Sequence, residues 1–124
     1  MAKKKVMIID DEEDFLKVVK LNLEQTGKYE VTIFSKAKDI VSHVHRCKPH
    51  LILLDILMPG IGGIEACERL NQDAVGQNIP IIILSALEKD EDKLKAYKVG
   101  VIDYITKPVK KDFLIAKIEK VLGY

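Results

Sequence analysis

The segment that most constrains this fold is Leu51–Asp55, in which four consecutive aliphatic residues run directly into a carboxylate. A short apolar run without alternation, followed by a Pro59-Gly60 turn, is typical of a strand buried on both faces of a parallel sheet. Asp55 then lies at the carboxyl end of the strand, the edge at which open α/β sheets bind ligands. Because an unpaired carboxylate against an apolar core is costly, we expect a partner beside Asp55.

Four further strand-like runs occur along the chain, and each is followed by a helical pattern. They span Val6–Ile9, Tyr29–Phe34, Ile79–Leu84 and Val101–Ile105. Five strand–helix alternations predict an α/β fold: a doubly wound, five-stranded parallel sheet with helices on both faces. A barrel of eight such units needs about twice this length, which favours the open sheet. We expect the flavodoxin-like strand order 2-1-3-4-5.

The helical patterns differ in how clearly they mark a buried face. After the first strand, Phe15, Leu16, Val19 and Leu23 share one face, with charged residues elsewhere. The fourth helix, from about Asp90 to Val99, is rich in lysine and acidic residues, which indicates a polar interface or none.

Composition narrows the classes of function. At 124 residues the chain is most simply one domain, residues 1–124, long enough to bury a sizeable core. Its net charge of +1 gives no reason to expect nucleic-acid binding through bulk electrostatics. No apolar run approaches the roughly 18 residues of a membrane span, so we expect no membrane association. Cys47 and Cys67 lack metal-ligand spacing and are expected to be small core residues in a reducing cytoplasm.

The chemically useful side chains all follow strands. Asp10 and Asp11 follow the first, Asp55 the third, Ser85 the fourth and Lys107 the fifth. In the order 2-1-3-4-5 the first and third strands are neighbours, so the three carboxylates converge and repel one another unless a cation joins them. An all-oxygen ligand set favours Mg²⁺, with Mn²⁺ as the alternative. A metal, an ammonium and a hydroxyl around one carboxylate predict a site for a phosphoryl group attached to that carboxylate.

Taken singly, these residues have simpler interpretations. The acidic run 10–14 is also typical of a solvated first helical turn. A lone Ser85 is most often a loop hydroxyl that caps the fourth helix, and a tyrosine such as Tyr104 in a strand more often packs in the core or on the surface than acts as a switch. His43 and His45 lie two apart on a predicted helix and face different ways, which argues against a metal site.

Four motifs in the right order carry a resemblance to a known family. They are Ile8–Glu12, Leu54–Pro59 with Gly63, Leu84–Ala86 and Asp103–Pro108. Over essentially its whole length, the chain resembles the receiver domain of two-component response regulators. The resemblance implies a phosphoacceptor signalling domain, which assists its own phosphorylation and dephosphorylation, rather than an enzyme.

The resemblance also implies a role for each acidic residue. Asp55 corresponds to the aspartate that takes a phosphoryl group from a phosphohistidine on a sensor histidine kinase or a histidine phosphotransfer protein. Asp11 and Asp55 would ligate Mg²⁺ directly, together with the backbone carbonyl of Leu57, and Asp10 would help through water.

Three further residues gain roles in the same way. Lys107 would pair with the phosphoryl oxygens and precede a cis peptide bond to Pro108. Ser85 and Tyr104 look like the switch pair: Ser85 moves in to the phosphoryl group, and the Tyr104 ring rotates inward behind it. The output face would be the fourth helix, fifth strand and fifth helix, and a phosphorylation-dependent homodimer is compatible with it.

The chain departs from the family pattern in two places. Gly62 stands where an acidic residue is common, which loosens the start of the third helix, and Val101 follows Gly100 where alanine is usual.

Two apolar residues bear on the lifetime of the phosphorylated state. Leu57 and Leu87, two positions after Asp55 and Ser85, offer no hydrogen bond to a hydrolytic water, so we expect slow self-dephosphorylation.

Three other functions compete with this interpretation. A phosphohydrolase of the haloacid dehalogenase type needs an acid two residues after its nucleophile, where this chain has Leu57. A flavodoxin-type FMN carrier needs a phosphate-binding first loop, which the acidic Asp10–Glu13 would repel. A receiver-like module that works without phosphorylation stays open.

The sequence does not identify where a signal would go. It ends at Leu122–Tyr124 without a DNA-binding helix-turn-helix or an output enzyme. We therefore expect either a free-standing receiver or a piece of a longer regulator, with the kinase and the output target unknown.

Overall fold

The computed structural model describes residues 2–123, and strands alternate with helices along them as expected. The strands are β1 Lys4–Ile9, β2 Tyr29–Phe34, β3 Leu51–Leu54, β4 Ile81–Ser85 and β5 Asp103–Thr106. The helices are α1 Glu13–Glu24, α2 Ile40–Cys47, α3 Gly63–Asn71, α4 Asp90–Lys98 and α5 Lys111–Leu122, with a 3₁₀ turn at Gly76–Asn78 before β4.

The five strands form one parallel sheet in the order β2-β1-β3-β4-β5, which confirms the predicted doubly wound fold. Ile9 of β1 lies opposite Leu54 of β3, so the residues that follow these two leave the sheet side by side. The Asp55 amide donates to the carbonyl of Ile9 at 3.0 Å, which ties the two strand ends together. The strand register therefore brings Asp10 and Asp55 to the same edge.

A core covers each face of the sheet, which explains the unalternating run in β3. Ile52 and Leu54 belong to one core, beneath α2 and α3, whereas Leu51 and Leu53 belong to the other, beneath α1 and α5. All four side chains of this strand are fully buried. A central parallel strand has no solvent face, and an apolar residue is therefore favoured at every position.

Several element boundaries differ from the sequence prediction by a few residues. β4 begins at Ile81 rather than Ile79 because Pro80 has no N–H to donate to the ladder, although its carbonyl accepts from Ile52. β5 begins at Asp103 because Gly100, at φ +93°, turns the chain and the Val101 amide still bonds to the end of α4. Val101 is buried despite lying outside the strand.

Two predicted core residues are only half-buried. Leu16, Val19 and Leu23 on α1 are buried as expected, but Phe15 is partly exposed. Cys67 is buried and Cys47 is intermediate. Among residues 2–123, no helix is long and apolar enough to cross a membrane.

The start of α3 depends on glycine at position 63. A Cβ atom there would lie 2.3 Å from the carbonyl oxygen of Asp55 and 2.7 Å from the Cα of Ile56, both of which are backbone atoms. We expect Gly63→Ala to lower the free energy of unfolding by about 2–3 kcal/mol, because the overlap forces the loop after Asp55 to move. Urea denaturation measures the change.

Gly62→Ala is the matched control for that variant, since its nearest contact would be the Ile56 carbonyl at 3.1 Å. We expect this control to change stability by less than about 1 kcal/mol. Equal stabilities of the two variants would contradict the steric explanation.

Candidate functional site

The buried polar side chains of the described residues lie at adjacent strand ends. They are Asp10, Asp55 and Ser85, with 1%, 5% and 0% exposure respectively. Each follows or ends one of the three central strands, β1, β3 and β4. Because burial penalises polar groups without partners, these three residues mark the edge of the sheet as a candidate functional site.

Three carboxylates form a cluster at this edge, as expected from the strand order. Asp10, Asp11 and Asp55 each contribute an oxygen, and these oxygens lie within 4.8 Å of one another. The backbone amide of Glu12 donates to Asp10 Oδ1 at 2.9 Å, and that of Leu57 donates to Asp55 Oδ1 at 3.2 Å. The loops after β1 and β3 thus hold the two buried carboxylates in place.

Lys107 supplies the positive charge that the buried carboxylates need. Its Nζ lies 2.6 Å from Asp10 Oδ2, 3.0 Å from Glu12 Oε1 and 3.5 Å from Asp55 Oδ2. Burial by itself lowers the pKa of the Lys107 ammonium, but the hydrogen bonds to Asp10 and Glu12 outweigh burial and raise that pKa above its ordinary value. The ammonium is therefore charged at neutral pH. The peptide bond to Pro108 that follows it is cis, as the resemblance implied.

The charge balance of the cluster leaves room for a further cation. Burial raises the pKa of the Asp10 carboxyl above its usual range, even though the hydrogen bond from Lys107 acts in the opposite direction. The ionised form of Asp10 is thus incompletely compensated by one lysine. A second cation would stabilise it, and an all-oxygen ligand set suits a hard divalent ion.

Ser85 of β4 and Tyr104 of the neighbouring strand β5 are hydrogen-bonded to the same loop residue. Ser85 Oγ accepts from the Leu87 amide at 3.2 Å, and the Tyr104 hydroxyl donates to the Leu87 carbonyl at 2.5 Å. The Tyr104 ring is buried. Burial also raises the pKa of the Tyr104 phenol, which stays protonated and able to donate.

An open cleft of about 420 Å³ gives access to Asp55 from solvent. Its lining comes from the loops after β1, β3 and β4: Asp11, Glu12, Asp55, Leu57, Met58, Pro59 and Ala86. The Leu57 side chain is 65% exposed at the mouth. A buried carboxylate beside an ammonium and reachable through a cleft is an arrangement that can accept a small anionic group.

Comparison with known families decides what kind of site this is. The model of the response regulator receiver domain matches residues 6–119. The chain belongs to this receiver family. The resemblance to this family is thus confirmed, and the cluster at the strand ends is the acidic pocket of a receiver.

Individual relatives agree with this assignment. The chain is 37% identical over 122 residues to the phosphate regulon transcriptional regulatory protein PhoB of Pseudomonas aeruginosa, covering 98% of this chain and 53% of the relative. It is 34% identical over 119 residues to the alkaline phosphatase synthesis transcriptional regulatory protein PhoP of Bacillus subtilis, covering 96% and 48%. The receiver therefore spans about half the length of these curated relatives.

A solved structure matches in three dimensions. The BeF3-activated receiver domain of DrrB, a protein of Thermotoga maritima, superposes with a TM-score of 0.87 at 28% identity, covering 99% of this chain and all of that one. Receivers are phosphoacceptor signalling modules rather than enzymes, and they work with histidine kinases. The acidic cluster is consistent with the divalent metal site that is typical of receivers.

The structure brings Asp10, Asp11, Asp55 and Lys107 together, with Ser85 and Tyr104 beside them. Two contacts of Lys107 were not expected from the sequence. Glu12, which the sequence places in the first motif and the acidic run without a partner, pairs with the lysine, and the centroid of the Phe15 ring lies 4.2 Å from Nζ. Neither contact has a sequence signal, because both depend on side-chain rotamers rather than on which strand the residues follow.

Proposed function

We propose that this receiver takes a phosphoryl group onto Asp55 from a phosphohistidine of a sensor histidine kinase or a histidine phosphotransfer protein. The observation that carries the proposal is the surroundings of Asp55. Its carboxylate is buried beside the Lys107 ammonium and two further carboxylates, yet it lines a cleft open to solvent. Such a group is held in place and remains accessible to a donor.

The reaction transfers one phosphoryl group without oxidation or reduction. A carboxylate oxygen of Asp55 forms a bond to phosphorus while the bond from phosphorus to the donor imidazole nitrogen breaks. The imidazole keeps the electron pair of that bond and takes up a proton. Lys107, 3.5 Å from Asp55 Oδ2, is near enough to pair with a phosphoryl oxygen and offset its growing charge.

A divalent cation fits the donor set of the pocket. The oxygens of Asp10, Asp11 and Asp55 lie within 4.8 Å of one another, and the raised pKa of Asp10 indicates incomplete compensation by Lys107. Asp11, Asp55 and the backbone carbonyl of Leu57 would hold Mg²⁺ directly, with Asp10 acting through water; Mn²⁺ satisfies the same ligands. The bound ion would supply charge neutralisation between the carboxylates and the incoming phosphoryl oxygens.

The signal would leave the site through Ser85 and Tyr104. Ser85 would donate its hydroxyl to the phosphoryl group, and the Tyr104 ring would hold the inward position behind it. Tyr104 belongs to β5, whose neighbours α4 and α5 form the proposed output face. The link between Asp103 and Lys117, 3.0 Å apart, ties β5 to α5 on this face, so a shift in the strand reaches the helix. A phosphorylation-dependent homodimer would use the same surface.

Residues 1–124 would act as one receiver unit in the cytoplasm, where histidine kinases present their phosphohistidine. The two curated relatives are transcriptional regulators, and this chain spans only about half of each.

Intact mass after incubation with acetyl phosphate tests the proposal. We expect a gain of one phosphoryl group in the presence of Mg²⁺ and none when the metal is chelated. A calorimetric Mg²⁺ titration of the unphosphorylated protein runs alongside. Failure to bind Mg²⁺ and failure to gain mass, from both acetyl phosphate and a phosphorylated histidine donor, would favour a module that works without phosphorylation.

Leu57 is expected to lengthen the life of the acyl phosphate. Its exposed apolar side chain stands at the mouth of the cleft and offers no hydrogen bond to an attacking water. Replacing it by Asn or Glu adds such a bond, and we expect dephosphorylation to become about threefold to tenfold faster. Loss of phosphoryl mass over time after donor removal measures the rate, and an unchanged rate would refute the role of Leu57.

A further inference from the structure

The ammonium of Lys107 has two different kinds of neighbour. On one side are the carboxylates of Asp10, Glu12 and Asp55, at 2.6, 3.0 and 3.5 Å. The aromatic ring of Phe15 also lies against the amine, with its centroid 4.2 Å from Nζ. The lysine side chain is only 11% exposed, so the ring takes the place of water around the charge.

Packing alone does not require an aromatic residue at position 15. Phe15 is half-buried near the start of α1, and the neighbouring Leu16 and Val19 supply the fully buried contacts of this helix. A leucine would cover a similar apolar surface. What only an aromatic ring adds is its negative face, which attracts a cation at this distance.

The contacts of Lys107 pull it in different directions. The Glu12 carboxylate is 64% exposed and draws the ammonium toward solvent, whereas Asp10 and Asp55 are buried and draw it into the pocket. Phe15 and Lys107 line one cavity whereas Asp55 lines a separate cleft, so the ring covers the amine from outside that cleft and shields it there from water. The ring thus bears on where the charge lies relative to Asp55.

We propose that Phe15 is a positioning residue for phosphoryl transfer: its ring holds the Lys107 ammonium within reach of the phosphoryl group on Asp55. This inference rests on the proposed function of Asp55. Phe15 touches neither donor nor acceptor atoms in this role, and it acts through the lysine. Weakening the ring's attraction should therefore slow phosphoryl transfer.

A fluorinated phenylalanine series separates attraction from packing. Incorporation of mono-, di- and trifluorophenylalanine at position 15 reduces the negative charge of the ring face stepwise and changes its shape little. With acetyl phosphate at saturating Mg²⁺, we expect the phosphorylation rate to fall at each step, by about threefold to tenfold over the series. The phosphorylation rate of Phe15→Leu should fall at least as far, and Phe15→Tyr should keep most of the rate of the parent protein.

Phe113 provides the matched control. Its exposed ring lies 5.4 Å from the Nζ of Lys117, outside the acidic pocket, and the same substitutions there should not change the rate. A small donor is used because it makes no demand on a protein-docking surface. A second readout is independent of phosphorylation: the Cε protons of Lys107 should carry an upfield ring-current shift that Phe15→Leu removes.

The outcomes distinguish this inference from the proposed function. In two outcomes the parent protein is phosphorylated: the phosphorylation rate stays the same throughout the fluorinated series, or Lys107 shows no ring-current shift. Either result would overturn the positioning role of Phe15 alone. A parent protein that takes up no phosphoryl group from any donor would overturn the proposed function and this role together.

Discussion

Asp55→Asn is expected to abolish phosphoryl uptake from acetyl phosphate. The amide has no carboxylate oxygen that can form an acyl phosphate, and neither neighbouring carboxylate is placed to replace it. Asp10 does not line the cleft, and Asp11, which does, forms no ion pair with Lys107 within the described part of the chain. Intact mass spectrometry under the conditions that phosphorylate the parent protein measures the loss.

Two comparisons make that result specific. Asp112→Asn removes an exposed carboxylate from the first turn of α5 and should leave phosphorylation unchanged. Urea denaturation should find Asp55→Asn at least as stable as the parent protein, because the variant removes one of three crowded negative charges, two of which are buried. Uptake by Asp55→Asn at the rate of the parent protein would contradict the assignment of the acceptor.

Lys107→Met is expected to slow phosphorylation by about 100-fold, the usual effect of removing a preorganised charge from a transferring group. Methionine keeps much of the length and apolar volume of the side chain but leaves Asp10 and Asp55 without their cation. We therefore also expect a loss of about 1–3 kcal/mol in the free energy of unfolding without metal. Rate measurements with acetyl phosphate and urea denaturation test both effects.

Mg²⁺ affinity should not fall with the phosphorylation rate and the stability, since Lys107 and a divalent ion neutralise the same carboxylates. We expect Lys107→Met to bind Mg²⁺ at least as tightly as the parent protein, and saturating Mg²⁺ to recover most of the lost stability. Lys110→Met, which alters an exposed lysine just before α5, should have neither effect. A rate within twofold of the parent protein would remove Lys107 from the proposed mechanism.

The architecture and the acidic pocket were accessible from the sequence because both depend on local patterns. Apolar runs mark the strands, and a polar residue directly after a buried strand is carried to the sheet edge by the register. The pairing of Ile9 with Leu54 then requires Asp10 and Asp55 to be neighbours. Boundaries were less accurate where single backbone features decide them, such as the missing N–H of Pro80 and the turn at Gly100.

Contacts between side chains of distant elements were not predictable in the same way. Phe15 reads as one more apolar residue on the buried face of α1, yet its ring lies against Lys107, which follows β5. The hydrogen bonds of Ser85 and Tyr104 to the backbone of Leu87 depend on the path of the loop after β4. Such contacts follow from rotamers and loop conformation, for which residue spacing carries no signal.

Locating the phosphoryl group on the chain tests most directly whether Asp55 is the acceptor. Reduction of the phosphorylated protein with borohydride converts an acyl phosphate of aspartate to homoserine, which peptide mass spectrometry identifies by position. We expect homoserine at position 55 alone, and only in samples that received both Mg²⁺ and donor. Homoserine at position 10 or 11, or a phosphoryl group that resists reduction, would contradict the central claim that Asp55 is the acceptor.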